Sequence, residues 1–267
     1  MHDYIVALIL GVVEGLTEFL PVSSTGHMII MGDILGFIGE KASVFEVFIQ
    51  LGAILSVFIL YREKFFRMFQ RDNWFRQENG LSLTHIAAGI LPVMSVGYLL
   101  YKPIKGYLFS TQTVIVGLII GGLFMLTAEH YSRKGTIICD DVEKMTVKQA
   151  FFVGLFQILS LWPGFSRSGA TISGGLLLGM SRKAAAEFSF IVAVPVMFVA
   201  CIYDLLKIAN LLSTSEIMMF TTGFVTAFIV AYISIIWFLK FLNKSSLASF
   251  AYYRFALAIV VWIYFVM

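Results

Sequence analysis

Charge is scarce in this 267-residue chain: Asp, Glu, Lys and Arg make up only 13% of it, against 59% hydrophobic residues and a mean hydropathy of +0.90. A soluble domain is typically ~25% charged and ~45–50% apolar, so an ordinary soluble domain is excluded. Disorder is excluded too, because disordered chains are poor in apolar residues. Charge of one sign is also lacking. The 19 basic and 16 acidic residues nearly cancel to a net +3, without the basic excess that marks a nucleic-acid binder, so no nucleic-acid partner is expected. Cysteine is limited to Cys139 and Cys201, with no CxxC or zinc spacing; neither a disulfide scaffold nor a zinc site fits, and both are expected as free thiols. The N-terminus has no basic run and no small-residue cleavage site, so it is expected to belong to the mature fold. What remains is an integral membrane protein.

Crossing a bilayer as a helix takes ~20 mostly apolar residues. Residues 80–101, 106–128 and 217–239 meet that length without Asp, Glu, Lys or Arg, and residues 43–61, 185–206 and 250–267 approach it with their polar flanks. The sequence thus predicts six transmembrane helices. Two other apolar regions are broken in the middle. Residues 4–37 are interrupted by Glu14, Glu18, Pro21 and the run Ser23, Ser24, Thr25, Gly26; residues 149–180 by Pro163, Gly164, Arg167 and Gly169. Each predicts a re-entrant helical hairpin, since irregular backbone at membrane depth survives only when buried in protein or lining a wet cavity.

The broken regions resemble each other. Gly11, Glu14, Thr17, Pro21, Ser23 and Gly26 match Gly154, Gln157, Ser160, Pro163, Ser166 and Gly169 at an offset of 142 or 143, and Phe48-Ile49 matches Phe190-Ile191. The expected architecture is an all-α polytopic membrane protein with a single membrane domain over 1–267. It divides into a repeat over about 1–128, a second over about 149–267, and a cytoplasmic linker over 129–148. Each repeat holds one hairpin and three spans. Three is odd, so the second repeat lies upside-down, giving an inverted-topology repeat. Charge sets the orientation. Fourteen of the 19 Lys and Arg residues fall in 62–79, 129–148, 181–184 and 240–254, the last ending at Arg254. Lys41, Lys102, Lys105 and Lys207 lie opposite, which leaves Arg167 as the cation inside the membrane. The positive-inside rule places the first group in the cytoplasm. Both termini and the mouth of the first hairpin then face outward, the second hairpin enters from the cytoplasm, and the two tips meet within the bilayer.

Those tips carry the chemistry. Glu14 and Glu18 are four apart and share a helix face. Two such carboxylates in a low dielectric need a shared proton, a cation or an arginine, and ionisable residues inside membranes are usually functional. The second break, Pro163, Gly164, Phe165, Ser166, Arg167, Ser168, Gly169, Ala170, Thr171, predicts a loop opening a helix whose free N–H groups favour an anion. Arg167 adds a fork of donors matched to phosphate oxygens. Carboxylates for a hard divalent cation, a hydroxyl able to attack phosphorus, the His27 imidazole and a guanidinium together suit phosphoryl chemistry.

The stretches EGLTEFLPVSSTGH from Glu14 to His27 and PGFSRSGATISGG from Pro163 to Gly175 resemble the two signature motifs of the bacterial undecaprenyl-diphosphate phosphatase family, the bacitracin-resistance type. The likeness extends through FEVFIQLGAIL, starting at Phe45, and EFSFIVAVP, starting at Glu187. It implies hydrolysis of the diphosphate of an isoprenyl carrier lipid to the monophosphate, which returns carrier to peptidoglycan synthesis and confers bacitracin resistance. The implied setting is the bacterial cytoplasmic membrane, with the active site opening to its outer face. The resemblance also implies a divalent cation, Mg²⁺ or Ca²⁺, held by Glu14 and Glu18. Ser24 and His27 would supply nucleophile and base, in an order left open, and Arg167 would clamp the diphosphate. Ser166, Ser168 and Thr171 would support Arg167, with Ser23 and Thr25 as second choices. The partners are the lipid substrate and the bilayer, with a homodimer left open. A lipid-phosphate flippase is the alternative, because inverted repeats with broken helices also build transporters.

Other residues are expected to be structural. Gly117, Gly121 and Gly122 allow close helix approach. Tyr252, Tyr253, Trp262 and Tyr264 suit interfacial or packing positions. Gln157, the counterpart of Glu14, is expected to line the cavity. His2, His85, His130 and the Asp140-Asp141 pair are expected to be structural or solvated.

Overall fold

A computed structural model describes residues 2–70, 74, 80–108, 110–208 and 216–266. In chain order the helices are His2–Thr17 (α1), Ser24–Ile34 (α2), Glu40–Leu60 (α3), Arg62–Phe69 (α4), Leu83–Leu99 (α5) and Tyr101–Pro103 (α6). They continue as Thr111–Lys134 (α7), Val147–Gln157 (α8), Arg167–Leu177 (α9), Arg182–Ile208 (α10), Ile217–Leu242 (α11) and Ala248–Val266 (α12). Among the described residues the only β pairing is an isolated bridge between Cys139 and Met180.

Five helices, α3, α7, α10, α11 and α12, are long and apolar enough to cross a membrane, and a sixth candidate runs through α5 and is bent by 70° where Tyr101–Leu108 begins. The chain is a multi-pass membrane protein. The bend moves the start of the span expected over 106–128 to Thr111, where α7 begins. Part of the basic stretch expected as a loop is helical: α4 buries Phe65 and Met68 and exposes Arg62 and Glu63. Residues 71–73 and 75–79 of that stretch lie outside the described residues.

Two shorter helix pairs, α1–α2 and α8–α9, sit among the long helices. Pro21 supplies no N–H to continue α1, and Gly164 takes φ +90° ahead of α9. At the entry to α8 the Thr146 hydroxyl accepts from the Gln149 N–H (3.2 Å), while the Gln149 side-chain oxygen accepts from the Thr146 N–H (3.0 Å), a reciprocal cap. α1 packs on α11 and α8 on α5; α11 also touches α3, as α5 touches α10, and α3 meets α10 while α7 meets α12. The tightest approaches use glycine: a Cβ on Gly15 would lie 2.8 Å from the Ala227 carbonyl, and one on Gly154 would strike the Gly89 carbonyl. Small residues bring helices close where lipid provides no hydrophobic drive.

Outside the long apolar helices, the segment before α8 is stapled to α4. The Glu143 carboxylate takes Lys64 Nζ at 2.8 Å, Arg67 Nη2 at 2.6 Å and the Leu81 N–H at 2.9 Å. Burial pushes this carboxyl up, but the bonds from Lys64, Leu81 and Arg67 outweigh it and hold it below its usual value. A depressed carboxyl stabilises the fold above its unfolded value, about 4.3, and the gain is lost as pH falls through the folded value. Glu143→Gln should therefore lower the thermal midpoint by a few degrees at pH 7, and the gap from wild type should close below about pH 4. Thermal scans at the two pH values check this. Asp140 and Lys144 pair across the exposed loop surface at 3.0 Å, as expected of a solvated loop. His85 is fully buried, its Nε2 2.9 Å from the Met145 carbonyl.

One expectation fails. Arg254, assigned from sequence to the cytoplasmic end of a span, is fully buried on α12. Its Nη2 donates to the Gly164 carbonyl at 2.7 Å and the Gly117 carbonyl at 3.1 Å. Among the described residues two arginines, not one, thus sit within the helix bundle: Arg254 fully buried and Arg167 with its side chain 12% exposed. The cost of burying this one is offset by carbonyl acceptors, which a sequence does not display.

Candidate active site

The breaks in the two helix pairs face each other. Ser23 (φ 71°) and Ser166 (φ 74°) are the only non-glycine residues with positive φ among the described residues. Each caps the helix that follows: the Ser23 hydroxyl accepts from the Gly26 N–H (3.4 Å), the Ser166 hydroxyl from the Gly169 N–H (3.2 Å). A left-handed non-glycine residue costs of order 1–3 kcal/mol and clusters at functional sites. Here two occur at positions that the internal repeat pairs with each other.

Glu18, just beyond α1, is the hub. Its Oε2 accepts from the Ser24 hydroxyl at 2.6 Å, and its Oε1 pairs with Arg167 Nη2 at 3.1 Å. A carboxylate from one helix pair thus binds a hydroxyl of its own pair and the guanidinium of the other. Arg167 is fixed from several sides. Its Nη1 donates to the Ser189 carbonyl at 3.0 Å, its Nη2 lies 3.5 Å from Met197 Sδ, and the guanidinium sits 5.3 Å from the centre of the Phe19 ring. Thr171 donates to Ser189 Oγ at 2.6 Å, and Ser168 donates across the break to the Leu20 carbonyl at 2.9 Å. Ser166 and Ser168 stand 3.1 Å apart.

Glu18, Ser23, Ser24, Thr25, Ser166 and Arg167 all line one cavity of about 170 Å³, together with Gln50, Ser160, Trp162, Pro163 and Gly164. At about 30 Å³ per water, it has room for a phosphate-sized anion. A larger cavity of about 670 Å³, between α3, α5 and α10 and walled by residues such as Phe58, Ile86 and Phe198, is apolar and offers no group for chemistry.

Of the other expected residues, Ser168 and Thr171 stand behind the cavity wall in the bonds just given, and three lie elsewhere. His27 does not meet Ser24. Its Nδ1 bonds the Ser23 carbonyl at 2.8 Å and its Nε2 the Tyr253 hydroxyl at 2.7 Å. A carbonyl only accepts, so Nδ1 carries the proton and Nε2 accepts from Tyr253. Glu14 is 1% exposed on α1, one turn before Glu18, with Oε1 unpartnered among the described residues. Gln157, expected in the cavity wall, is buried outside it with neither amide atom bonded among the described residues.

Sequence reasoning gives no role to Gln50, Ser189 or a Tyr253–Arg254 pair. Gln50 and Ser189 lie inside the stretches that carry the family resemblance, which is their one available signal. Tyr253 reads as a packing residue, and nothing in the sequence links it to His27.

The whole chain can be placed by its relatives. The family model described as bacitracin resistance protein BacA matches residues 7–260. The chain belongs to that family. Among its relatives, undecaprenyl-diphosphatase 1 of Bacillus thuringiensis (strain Al Hakam) is 48% identical over 260 residues, covering 97% of both chains. Proteins of the same name are 47% identical in a strain of Bacillus cereus and 48% identical in Bacillus anthracis, with the same coverage. The match spans both broken helix pairs and the helices that carry Gln50 and Ser189.

Proposed function

We propose that this protein hydrolyses undecaprenyl diphosphate to undecaprenyl phosphate and inorganic phosphate, recycling carrier lipid for peptidoglycan synthesis and conferring bacitracin resistance. Relatives named for that activity, 48% identical over nearly the whole chain, support the substrate. The observation that carries the chemistry is the continuous path from the Ser24 hydroxyl through Glu18 to Arg167, at 2.6 and 3.1 Å.

In this reading Ser24 Oγ attacks the terminal phosphorus and its proton passes to Glu18. The P–O bond to the bridging oxygen breaks, undecaprenyl phosphate leaves, and the phosphoryl group rests on Ser24. Water then attacks that phosphorus, releases phosphate and restores the hydroxyl. Arg167, freed to share its donors between Glu18 and the substrate, stabilises charge on the transferring group. Ser166, Ser168 and Thr171 hold the arginine and its loop, with Ser23 and Thr25 in the wall. His27 turns away from Ser24 towards α12, which favours serine over histidine as the attacking group.

The donor set fits a cation. Glu14 offers a buried carboxylate oxygen without a partner among the described residues, one turn from Glu18. Among the described residues no three His, Cys, Asp or Glu side chains form a complete metal site, which suits an ion that takes one or two carboxylates and fills its shell with water and substrate oxygens. Bound Mg²⁺ or Ca²⁺ would polarise the substrate P–O bonds. Purified protein should release phosphate from an isoprenyl diphosphate, stop in EDTA, and recover when Mg²⁺ or Ca²⁺ is returned. Full activity in EDTA removes the cation from the account, and no release under any condition defeats the phosphatase reading.

The architecture proposed for this chemistry is an inverted repeat in the cytoplasmic membrane, six spans and two re-entrant hairpins, with the active site open to the outer face. Its support is twofold. Exchanging α1, α3 and α11 for α8, α10 and α5 turns their packing pairs into one another, and thirteen of the 19 Lys and Arg residues, Arg254 left out, fall in the sequence segments that this topology assigns to the cytoplasm. A cysteine replacing Ser213 should react with an impermeant reagent on intact cells, and one replacing Arg76 should not; both positions lie outside the described residues. The reverse pattern contradicts the orientation.

A further inference from the structure

The second buried arginine has no part in this chemistry, and the residue before it touches the other helix pair. Arg254 is fully buried, and its hydrogen bonds go to the Gly164 and Gly117 carbonyls and, at 3.5 Å, to Met125 Sδ. A guanidinium in that setting is costly unless its donors are used; Nη2 spends its two on backbone, Nη1 meets only the Met125 sulfur, and Nε has no partner among the described residues. The Gly164 carbonyl belongs to the loop that ends in Ser166 and Arg167. The slot depends on missing side chains. A Cβ on Gly169 would lie 2.9 Å from Arg254 Nη1, one on Gly121 would strike the guanidinium, and one on Gly117 would strike the Pro163 carbonyl.

Tyr253 points elsewhere, since successive helical positions are turned by about 100°. Its hydroxyl donates to His27 Nε2 at 2.7 Å, and its ring stacks on the imidazole at 5.6 Å with 4° between planes. His27 is held at its other nitrogen by the Ser23 carbonyl, the strained residue beside Ser24. Two adjacent residues of α12 therefore grip the two broken helix pairs, one through His27 and the other through Gly164. Neither side chain hydrogen-bonds Glu18, Ser24 or Arg167.

We propose that Tyr253 and Arg254 are positioning residues: α12 braces both helix pairs and sets the separation at which Ser24 and Arg167 reach the same carboxylate. The kinetic side of this proposal rests on the phosphatase reading; the geometric side does not. Arg254→Lys keeps the charge but loses the planar fork, and Tyr253→Phe keeps the ring while dropping the hydroxyl. Phosphate release and thermal unfolding are measured for wild type, each variant and the double variant. Spin labels at the exposed positions 34 and 155, one on each pair, in a background with both native cysteines replaced by alanine, report the separation of the pairs by dipolar EPR.

Arg254→Lys should lower kcat by about 10²-fold, the scale expected of a misplacement near 1 Å, with KM within a few-fold of wild type and the unfolding midpoint little changed. The label-to-label distance distribution should broaden. Tyr253→Phe should move kcat the same way by less, and the double variant should lose less than the product of the two because they share one geometry. Wild-type kcat with a narrow distribution in both single variants overturns the proposal, as does a loss that only follows the unfolded fraction. Broadening in a protein whose wild type releases no phosphate would strike the phosphatase reading and leave the brace standing.

Discussion

Arg167→Ala is expected to lower phosphate release by about 10³-fold or more, the scale of a guanidinium aimed at a transferring phosphoryl group. The alanine variant also strips Glu18 of its cation, and an unpaired buried charge can cost about 3–5 kcal/mol, so its loss of activity mixes chemistry with loss of fold. Arg167→Lys separates the two. It keeps a charge near Glu18 and the fold with it, yet cannot hold Glu18, the Ser189 carbonyl and a phosphate at once as a planar fork does. A loss of about 10²-fold is expected in the lysine variant at an unchanged unfolding midpoint. Steady-state phosphate release and thermal unfolding on the same preparation check both variants. Wild-type rates in Arg167→Lys would show that the fork geometry plays no part in the reaction.

The second large effect belongs to Ser24 and Glu18. Ser24→Ala removes the oxygen proposed to attack and should reduce turnover to background while leaving the Arg167–Glu18 pair intact. Glu18→Gln keeps the shape and still accepts from Ser24, but it can take no proton and no longer neutralises Arg167. A loss of about 10²–10⁴-fold is expected, the usual worth of a positioned general base. His27→Ala should be milder than either, because the imidazole faces Tyr253 and not Ser24. A ranking in which His27→Ala is silenced and Ser24→Ala stays active would transfer the attacking role to the histidine.

Much of this site is legible in the sequence because membranes make polar groups conspicuous. Glu14, Glu18 and Arg167 stand out against an apolar background, and the matched breaks around Pro21 and Pro163 say that two irregular tips exist. The internal match even pairs Ser23 with Ser166, which share the same unusual φ. Long spans are legible for the same reason: α11 and α7 follow uncharged runs long enough to cross a bilayer.

What cannot be read is which polar groups meet. Ser24 and His27 are three apart and look like partners, yet the ring swings to α12, 226 positions along the chain, while the hydroxyl turns back to Glu18. Arg254 misleads in the opposite way. A cation near a span end reads as a loop residue, because the acceptors that retain it, the Gly117 and Gly164 carbonyls, are backbone atoms with no sequence signature. The bend between α5 and α6 is likewise hidden at the end of an unbroken apolar run. Gln157 shows the limit of the repeat itself: its counterpart Glu14 stands one turn from the hub, but the glutamine does not reach the cavity.

In the proposed reaction Ser24 attacks phosphorus and Glu18 receives its proton. Quenching the enzyme in acid during turnover of a terminally labelled isoprenyl diphosphate, and mapping the label by mass spectrometry, tests this step. A phosphoryl group on Ser24 is expected to accumulate within one turnover, decay into free phosphate, and be absent in Ser24→Ala. Turnover at the wild-type rate with no labelled Ser24, or label on His27, would contradict it.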